Sequence, residues 1–418
     1  MKKHTIIIIG AGASGVLCAI LLKQAGLDCA LVDSQDRILK KLLTTGNGRC
    51  NLSNANLIHC TDFTPYFSTS DPDFDWGPLK QFGVQQTLEL FTSLGLPTRT
   101  LEEGKIYPMS LQASSVSDLL RLRLEELQVP IYAKARVKSI RVKTGFQLSA
   151  GEEEFRSDYL VFASGGQAMP ASGSDGSAYK LIRELGHEII KPLPALVQLT
   201  TDFKQLRALS GVKGICGITL LSEGSEVYRE TGELLFTDYG ISGPPVLQMS
   251  RFASPLLDDG QSPHVRINLF PELPLAQVSD LLKTQIRRFP HRQAEDLLNG
   301  IINKKLIPVL FKASGLEKMT TRVRDIPPDV VARLLHMMTA WEMGITGTNG
   351  FANSQSTLGG VSLKAVHQDT LESKGIPRLY FTGEVLDVCG ACGGYNLQWA
   401  WSSAMAAAAA IREDRGRA

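Results

Sequence analysis

The stretch that decides the fold is TIIIIGAGASG, residues 5–15. An apolar run typical of a buried strand leads directly into Gly10, Gly12 and Gly15, which have GxGxxG spacing. A helical pattern follows, and a second short strand, CALVD, ends at Asp33, 18 residues after Gly15. In this order the glycines permit a tight turn, close approach of the backbone to a pyrophosphate and close helix packing. The sequence therefore predicts a Rossmann-like α/β domain that binds a dinucleotide.

The helix after the glycine turn would present free N–H groups to phosphates, so Ala13 and Ser14 are expected to contact them. The Asp33 carboxylate would accept hydrogen bonds from ribose hydroxyls. Residues 5–22 carry no charge and follow two lysines, as in a signal peptide or a membrane span. Three glycines within the segment disfavour a spanning helix. We interpret it as part of a cytoplasmic fold with no membrane partner.

The composition is that of an ordinary globular protein. The chain has 418 residues, 43% of them hydrophobic, and a net charge of +2, which does not by itself indicate a nucleic-acid-binding protein. Seven scattered cysteines do not form a disulfide framework. The single CxxC pair, Cys389 and Cys392, has no second pair to complete a metal site, so we predict no metal. We interpret both residues as small members of a glycine-rich loop.

Two later segments favour FAD over NAD. Each is an apolar strand followed by small or polar residues, and the chain has no second GxGxxG for a separate nicotinamide domain. We therefore predict a tightly held FAD, with NADH or NADPH as a transient electron donor. The residues predicted to contact FAD at these strand ends are Ala163, Ser164, Gly165, Gly166, Gly383 and Glu384.

The stretch KKLLTTGNGRCNLSN, residues 40–54, has no apolar period of 2 or 3.6 and is predicted to be a loop. Its glycines would let backbone N–H groups approach the polar edge of a flavin ring, and its asparagines offer donors and acceptors. Arg49 could balance the negative charge of reduced flavin or of a substrate. The alternative is an asparagine-rich turn that satisfies its own hydrogen bonds.

The chain resembles the BaiN/YhiN-type flavoproteins, also described as NAD(P)/FAD-dependent oxidoreductases or the aminoacetone oxidase family. The resemblance rests on IIGAGASG, KKLLTTGNGRCNLSN, GKIYPMSLQASSV, LLFTDYGISGPPVL, TLGGVSL and FTGEVLDVCGACGGYNLQWAWSS, between residues 6 and 403. It implies a FAD-binding domain of the glutathione-reductase type with an inserted β-barrel-like domain and a helical domain. It also implies that the loop wraps the isoalloxazine ring. The loop residues predicted to contact FAD are Lys41, Leu42, Gly46, Asn47, Gly48, Arg49, Cys50 and Asn51. Val137, outside the loop, is a further predicted FAD contact.

The string GGYNLQWAW begins a final predicted helix at Gly393 and Gly394. A helix N-terminus facing the flavin pyrimidine would stabilise negative charge near N1 of the reduced ring. The first turn adds three predicted FAD contacts, Tyr395, Asn396 and Gln398. Trp399 and Trp401 are two residues apart and are interpreted as packing residues.

Both ends of the chain, 1–192 and 346–418, are predicted to form one discontinuous FAD-binding domain. The turn-rich segment 193–273 is predicted to be an inserted β-rich domain. Helical periods over 274–345 predict an inserted helical domain.

Three residues are candidates for the acid that protonates the substrate opposite a hydride. Cys50 ranks first, with a small buried thiol as its alternative interpretation. Tyr107, in GKIYPMS beside Lys105, is the second, with aromatic packing as its alternative. Asp238, in FTDYGISGP, is the third, at a position where relatives often carry a histidine.

The resemblance implies enone reduction in bile acids, amine oxidation, or uridine reduction to dihydrouridine in ribosomal RNA. We predict hydride transfer from reduced flavin N5 to an activated C=C bond, with ribosomal RNA uridine ranked ahead of a small-molecule enone or amine. That ranking depends on the basic segments KTQIRRFPHRQ, NKKLIPVLFK and EKMTTRVR as an RNA-binding insert. The alternative for these segments is a solvated helix surface. A non-catalytic FAD-containing docking protein is the alternative of another class.

Overall fold

The computed structural model describes residues 1–417. The chain forms two compact units. The first joins Met1–Ala195 with the segment that begins at Phe351, and the second is Leu196–Gly350. The predicted boundaries, 192/193 and 345/346, lie a few residues before these points. The segments predicted as separate β-rich and helical domains lie together in the second unit.

A parallel five-stranded sheet forms the centre of the first unit, and four of its strands are buried along their whole length. Ile6 and Ile8 pack into one core, whereas Ile7 and Ile9 pack into another, so both faces of the sheet are covered. This explains why the strands are almost continuously apolar. In spatial order they are Leu379–Phe381, Tyr159–Phe162, Ile6–Ile9, Cys29–Val32 and Ile131–Tyr132.

Two helices, Ala13–Gln24 and Tyr395–Arg417, pack against each other and against the core that contains Ile6 and Ile8. The alanine run at 406–410 lies within the second helix, where its small side chains allow close approach. The first and last parts of the chain therefore share one hydrophobic core.

The other elements of the first unit surround this centre. A four-stranded sheet contains Lys2–Lys3, Glu153–Ser157, Gly145–Ala150 and Ser139–Lys143. Smaller sheets are Ser53–Asn54 with Lys105–Pro108 and Thr98–Thr100, Ile189–Ala195 with Ser356–Val361, and Cys389–Gly390 with Tyr66–Phe67. The α-helices are Gly77–Gln81, Val84–Ser93, Ala113–Glu126 and Ala178–Glu184, with Gly350–Asn353 at the junction of the units. Short 3-10 helices are Leu42–Gly48, Ala55–Leu57, Glu102–Gly104, Pro170–Ser172, Leu363–Ala365 and Gly383–Val385.

The second unit is built on a closed six-stranded barrel. Its strands, in order around the barrel, are Leu199–Thr201, Gly240–Ser242, Ser225–Phe236, Lys213–Ser222, His264–Asn268 and Trp341–Thr348. The accompanying helices are Leu206–Leu209, Pro244–Asp258, Leu275–Arg288, Ala294–Leu297, Leu306–Ala313 and Pro328–Thr339, with a 3-10 turn at Val323–Asp325.

The last barrel strand, Trp341–Thr348, follows the helical segment in sequence and closes the barrel by pairing with Leu199–Thr201. Barrel and helices share one buried core, in which Ile218 and Ile267 pack with Leu310 and Leu334. The predicted α/β fold with an inserted barrel-like unit and helices is confirmed. Among the described residues, no helix combines the length and the apolar character needed to cross a membrane.

Candidate functional site

The three glycines of the turn differ in the space that surrounds them. Gly10 has φ +103°, and a Cβ there would lie 2.4 Å from the Ala163 carbonyl oxygen. A Cβ on Gly15 would lie 2.0 Å from the carbonyl oxygen of Gly10. Gly12 differs, because a Cβ there would meet no atom within 4 Å, and its φ of −81° suits any residue. Gly10 and Gly15 therefore serve backbone packing, whereas the space beside Gly12 is available to a ligand.

The helix that begins at Ala13 has no side chain capping its N-terminus and no acidic residue in its first turn. Asp33 lies next to this turn, where its Oδ2 accepts from Ala11 N at 2.6 Å and its Oδ1 from Gln35 N at 2.7 Å. These bonds use part of the carboxylate's acceptor capacity and fix its position for a ribose hydroxyl. Free N–H groups beside a fixed carboxylate are the arrangement that a dinucleotide needs.

A cavity with about 1390 Å³ of empty space, including the part open to solvent, lies at the carboxyl ends of the central strands. Open α/β sheets bind ligands at this edge. Many of the predicted FAD contacts line it, from both ends of the chain. They are Gly10, Gly12, Ala13, Ser14, Asp33, Lys41, Leu42, Val137, Ala163, Ser164, Gly165, Gly383, Glu384 and Asn396.

Two buried hydroxyl groups in the cavity wall lack a protein partner. They are Ser164 Oγ, after the strand Tyr159–Phe162, and Ser174 Oγ, in the following loop. Leaving a polar atom buried and unpaired is costly unless a ligand or water completes it. The open space at Gly12 and these two hydroxyls fit a phosphate-containing dinucleotide such as FAD.

Several lining residues were missed by sequence reasoning. Arg136 and Ser174 belong to connecting segments outside the glycine motifs, and Trp399 was assigned to packing alone. Trp399 is 1% exposed and donates from Nε1 to the Gly383 carbonyl oxygen at 3.1 Å. It therefore packs in the core and also lines the cavity. The signal available for Arg136 was its position beside Val137, which sequence reasoning did include.

The loop predicted over 40–54 contains a short 3-10 segment, Leu42–Gly48, that is interrupted by left-handed residues. Gly46, Asn47, Gly48 and Cys50 have φ of +55°, +54°, +79° and +57°. Glycine and asparagine tolerate this region, whereas for Cys50 it is unusual. The glycine and asparagine content therefore reflects a backbone that reverses direction several times within a few residues.

The middle of this loop, Asn47–Gly48–Arg49, is exposed, and Asn51 is buried with its Oδ1 unpaired. Gly394, with φ +101°, lies against it, because a Cβ there would be 2.4 Å from Ser53 O and 2.9 Å from Asn51 Oδ1. The loop and the start of the last helix are therefore in direct contact. Their assignment as flavin contacts stays a prediction.

The predicted contacts in the first turn of the last helix divide into two kinds. Asn396 lines the cavity and fixes the preceding loop, accepting from Gly390 N and donating to Gly390 O, both at 2.9 Å. Gln398 is fully buried, accepts from Ser53 Oγ at 2.6 Å and donates to Thr87 Oγ1 at 2.9 Å. Its amide is occupied by protein groups, so the structure gives Gln398 a packing role away from the cavity. Gly15, Gly46, Asn47, Gly48, Arg49, Cys50, Asn51, Gly166, Gly393, Gly394 and Tyr395 are likewise not among the cavity-lining residues.

The two catalytic candidates lie in different surroundings. Cys50 is fully buried in the core with Leu42 and Leu52, and this burial raises the pKa of its thiol to about 12. Such a thiol keeps its proton at neutral pH. Neither Cys50 nor Tyr107 is among the cavity-lining residues. Tyr107, on the strand Lys105–Pro108, is 5% exposed and lies under the Arg49 guanidinium, 5.2 Å from ring centroid to Cζ. Both assignments stay predictions.

Two further sequence features are placed by the structure. Asp238 is exposed in the turn between two barrel strands of the second unit. Cys389 is buried and Cys392 is half-buried. Within residues 1–417, no three histidine, cysteine or acidic side chains come together in a way that could hold a metal ion.

One charged network crosses the cavity. Lys41 Nζ lies 2.5 Å from Glu384 Oε2, and Thr357 Oγ1 donates to Glu384 Oε1 at 2.9 Å. Lys41 comes from the polar loop and Glu384 follows the strand Leu379–Phe381. The network therefore joins the two ends of the chain at the site.

The match to known proteins extends over almost the whole chain. Residues 4–410 match the family model described as HI0933-like protein Rossmann domain. The chain belongs to this family. It is 39% identical over 409 residues to a Clostridium scindens protein named 3-dehydro-bile acid delta(4,6)-reductase, covering 97% of this chain and 98% of that one. It is 32% identical over 412 residues to an Escherichia coli protein named ribosomal RNA dihydrouridine synthase, covering 98% of each.

A similar Haemophilus influenzae protein with that same name is 31% identical, over 97% of this chain and 98% of that one. The solved 3-ketosteroid delta1-dehydrogenase of Sterolibacterium denitrificans shares the fold, with a TM-score of 0.52, 12% identity, and 99% and 100% coverage. This family consists of FAD-dependent oxidoreductases, so the predicted family, enzyme class and FAD cofactor are confirmed. The alternative of a non-catalytic docking protein is set aside.

Proposed function

We propose that this family member reduces the C5=C6 bond of uridine in an RNA to give dihydrouridine, with NADH or NADPH as the electron donor. The names of its relatives support one reaction type, because dihydrouridine synthesis and reduction of a 3-dehydro bile acid both add two hydrogens to a C=C bond conjugated with a carbonyl. In uridine, a hydride adds to C6, which is β to the C4 carbonyl, and a proton adds to C5.

Bound FAD supplies the hydride from its isoalloxazine ring and is recharged by the nicotinamide donor. The chain's own residues hold and orient it. Asp33 takes the ribose, the uncapped helix N-terminus takes the pyrophosphate, and Ser164 and Ser174 donate from their unpaired hydroxyls. The two serine hydroxyls have no protein partner, and Asp33 is held in position by two backbone N–H groups, which is why these residues support this assignment.

For the proton, Tyr107 is the better supported of the two candidates. Cys50 is enclosed in the hydrophobic core, whereas Tyr107 contacts the polar loop, with its Cε1 3.3 Å from the position of a Cβ on Gly46. The Arg49 guanidinium lies over the Tyr107 ring, in a cation–π contact that fixes the ring beside the polar loop. We therefore assign the phenol of Tyr107 as the group that protonates C5.

The observation that carries RNA as the substrate is an arginine patch on the second unit. The segments 290–293 and 322–324 pair through their backbones, with Val323 N donating to Arg292 O at 2.9 Å and Arg324 N to Pro290 O at 3.1 Å. This pairing brings together two basic segments that are about thirty residues apart in sequence. The arginine patch comprises Arg287, Arg288, Arg292, Arg322 and Arg324, all exposed.

Among the described residues, Arg324 is the one member of the arginine patch with an ion pair, at 3.7 Å to Asp325. The Arg292 guanidinium stacks on Phe289, 3.6 Å from the ring centroid. Planar cations beside an aromatic ring suit both phosphates and stacked bases. The clustering by backbone pairing is what favours RNA.

The test is the dihydrouridine content of ribosomal RNA, measured by nucleoside mass spectrometry in cells with and without the gene. Loss of the modified base on deletion, restored by the wild-type gene and not by Tyr107→Phe, supports the proposal. With purified holoprotein, replacing Arg287, Arg292 and Arg322 by glutamine should weaken RNA binding and flatten its salt dependence by about 0.7–0.9 per lost phosphate contact. The matched control is Arg266→Gln, because Arg266 is paired with Glu342 in the barrel.

A second candidate is reduction of a small cyclic enone, which the higher identity to the bile acid reductase favours. It shares the FAD site and Tyr107 with the first proposal and does not need the arginine patch. Unchanged dihydrouridine after gene deletion, together with NADPH-dependent reduction of a steroid enone by the purified protein, would favour this candidate.

A further inference from the structure

The Lys41–Glu384 pair is a contact in the site that the sequence motifs did not indicate. The two side chains are 343 positions apart in sequence, yet Lys41 Nζ lies 2.5 Å from Glu384 Oε2. Both line the cavity, and their side chains are 22% and 20% exposed. An ion pair that is largely shielded from water acts on neighbouring charges more strongly than a surface pair.

Glu384 is fixed from its other side by Thr357. Thr357 Oγ1 accepts from Gln167 N at 2.8 Å and from Ala168 N at 3.0 Å, so its own hydrogen is left for Glu384 Oε1, at 2.9 Å. Thr357 is fully buried. The direction of this chain of bonds makes Glu384 Oε1 the final acceptor and holds the carboxyl group in one place. Lys41 is thereby held as well.

The pair lies toward the flavin end of the cavity. Asp33 marks the ribose end and the helix N-terminus at Ala13 the pyrophosphate. A Cβ on Gly383 would lie 2.7 Å from Ser14 Oγ, so the chain carrying Glu384 lies beside the first turn of that helix. A FAD bound with its adenosine at Asp33 would extend past Ser14, and Lys41 and Glu384 would then be among the residues that hold its flavin part.

We propose that the Lys41–Glu384 pair sets the reduction potential of the bound FAD. The Lys41 ammonium stabilises the negative charge that the ring carries after two-electron reduction. The negative charge of Glu384 offsets part of the Lys41 positive charge and so limits the stabilisation of reduced FAD. The inference depends on FAD as the cofactor and not on which substrate is reduced.

The test measures the two-electron reduction equilibrium of the holoprotein against a reference dye. Lys41→Met should shift it about tenfold toward oxidised FAD, and Glu384→Gln about tenfold toward reduced FAD. For a two-electron couple, a tenfold shift corresponds to about 30 mV. Lys41→Arg, which keeps the charge, and the double variant, which removes both charges, should each stay within about threefold of wild type.

A pair that only connects the loop to the strand gives a different pattern. Both single variants would then shift the equilibrium in the same direction, and the double variant would be no closer to wild type; that result overturns the proposal. FAD content and circular dichroism of each variant establish that it is folded and loaded. If Lys41→Met loses FAD, Lys41→Gln takes its place, and a shift opposite to the one stated refutes the proposal equally. No substrate is added, so a failure to reduce uridine leaves this result unaffected.

Discussion

Replacing Gly12 by aspartate should weaken FAD binding while it slightly stabilises the folded apoprotein. Gly12 is the N-cap of the helix Ala13–Gln24, has φ −81° and ψ −166°, and leaves open space where a Cβ would stand. Aspartate is a favoured N-cap residue and its charge suits the helix dipole, so the apoprotein should gain about 0.5 kcal/mol of unfolding free energy. In the holoprotein the same carboxylate would stand where the pyrophosphate approaches.

The loss of FAD affinity follows from Coulomb's law. Two unit charges of like sign about 4 Å apart repel by roughly 4 kcal/mol at the effective dielectric constant of about 20 found near protein surfaces. Since each 1.4 kcal/mol is about tenfold in affinity, Gly12→Asp should bind FAD roughly a thousandfold more weakly. Few single substitutions are expected to stabilise a fold while removing its cofactor.

The assay is titration of the apoprotein with FAD, followed by tryptophan fluorescence, since Trp399 lines the cavity. Urea denaturation of the apoprotein gives the unfolding free energy. The control is Gly26→Asn at the other end of the same helix, where φ is +78° and the surroundings are open; its FAD affinity should equal that of wild type. Wild-type affinity in Gly12→Asp, or an apoprotein destabilised by more than about 1 kcal/mol, would refute the reasoning.

Three other substitutions test the site. Gly10→Ala should destabilise the apoprotein by more than about 2 kcal/mol in urea denaturation, because its φ is +103° and its Cβ would clash with a carbonyl oxygen; unchanged stability contradicts the packing argument. Gln398→Ala should lower the apoprotein's unfolding free energy by about 2–4 kcal/mol, since it leaves several buried polar partners unsatisfied. For Cys50, the folded pKa of about 12 lies above the usual 9.0, so its contribution to stability is present below pH 9 and is lost as pH rises toward 12. Between these pH values the unfolding free energy of Cys50→Ala should fall less steeply with pH than that of wild type. The two slopes should differ by up to about 1.4 kcal/mol per pH unit. Equal slopes would show that the thiol is not buried in solution.

The parts of the site that could be predicted from sequence are those whose residues are close together along the chain. The strand, the three glycines and Asp33 lie within residues 6–33, and local rules for turns and helix N-termini explain them. The polar loop was correctly predicted as irregular, and its left-handed residues account for its glycine and asparagine content.

Other features depend on pairing between distant segments, which composition does not specify. The Lys41–Glu384 pair and the arginine patch each arise from long-range contacts. Gln398 was predicted to contact FAD together with Tyr395 and Asn396, but only Asn396 of the three lines the cavity, and the Gln398 amide bonds to protein groups. The two inserted segments share a single core because the strand Trp341–Thr348 returns to the barrel after the helices.

The second unit enters and leaves the fold through neighbouring strands: Leu199 pairs with Thr348 within it, and Ala195 pairs with Ser356 in the first unit. Once the inserted unit has folded, its two ends are held close together, which lowers the entropy cost of joining the two halves of the first unit. The strand Leu379–Phe381 and the helix that begins at Tyr395 supply one wall of the cavity and follow the inserted unit in sequence. The glycine turn needs only the segment before the inserted unit, whereas the complete FAD cavity also needs the segment after it.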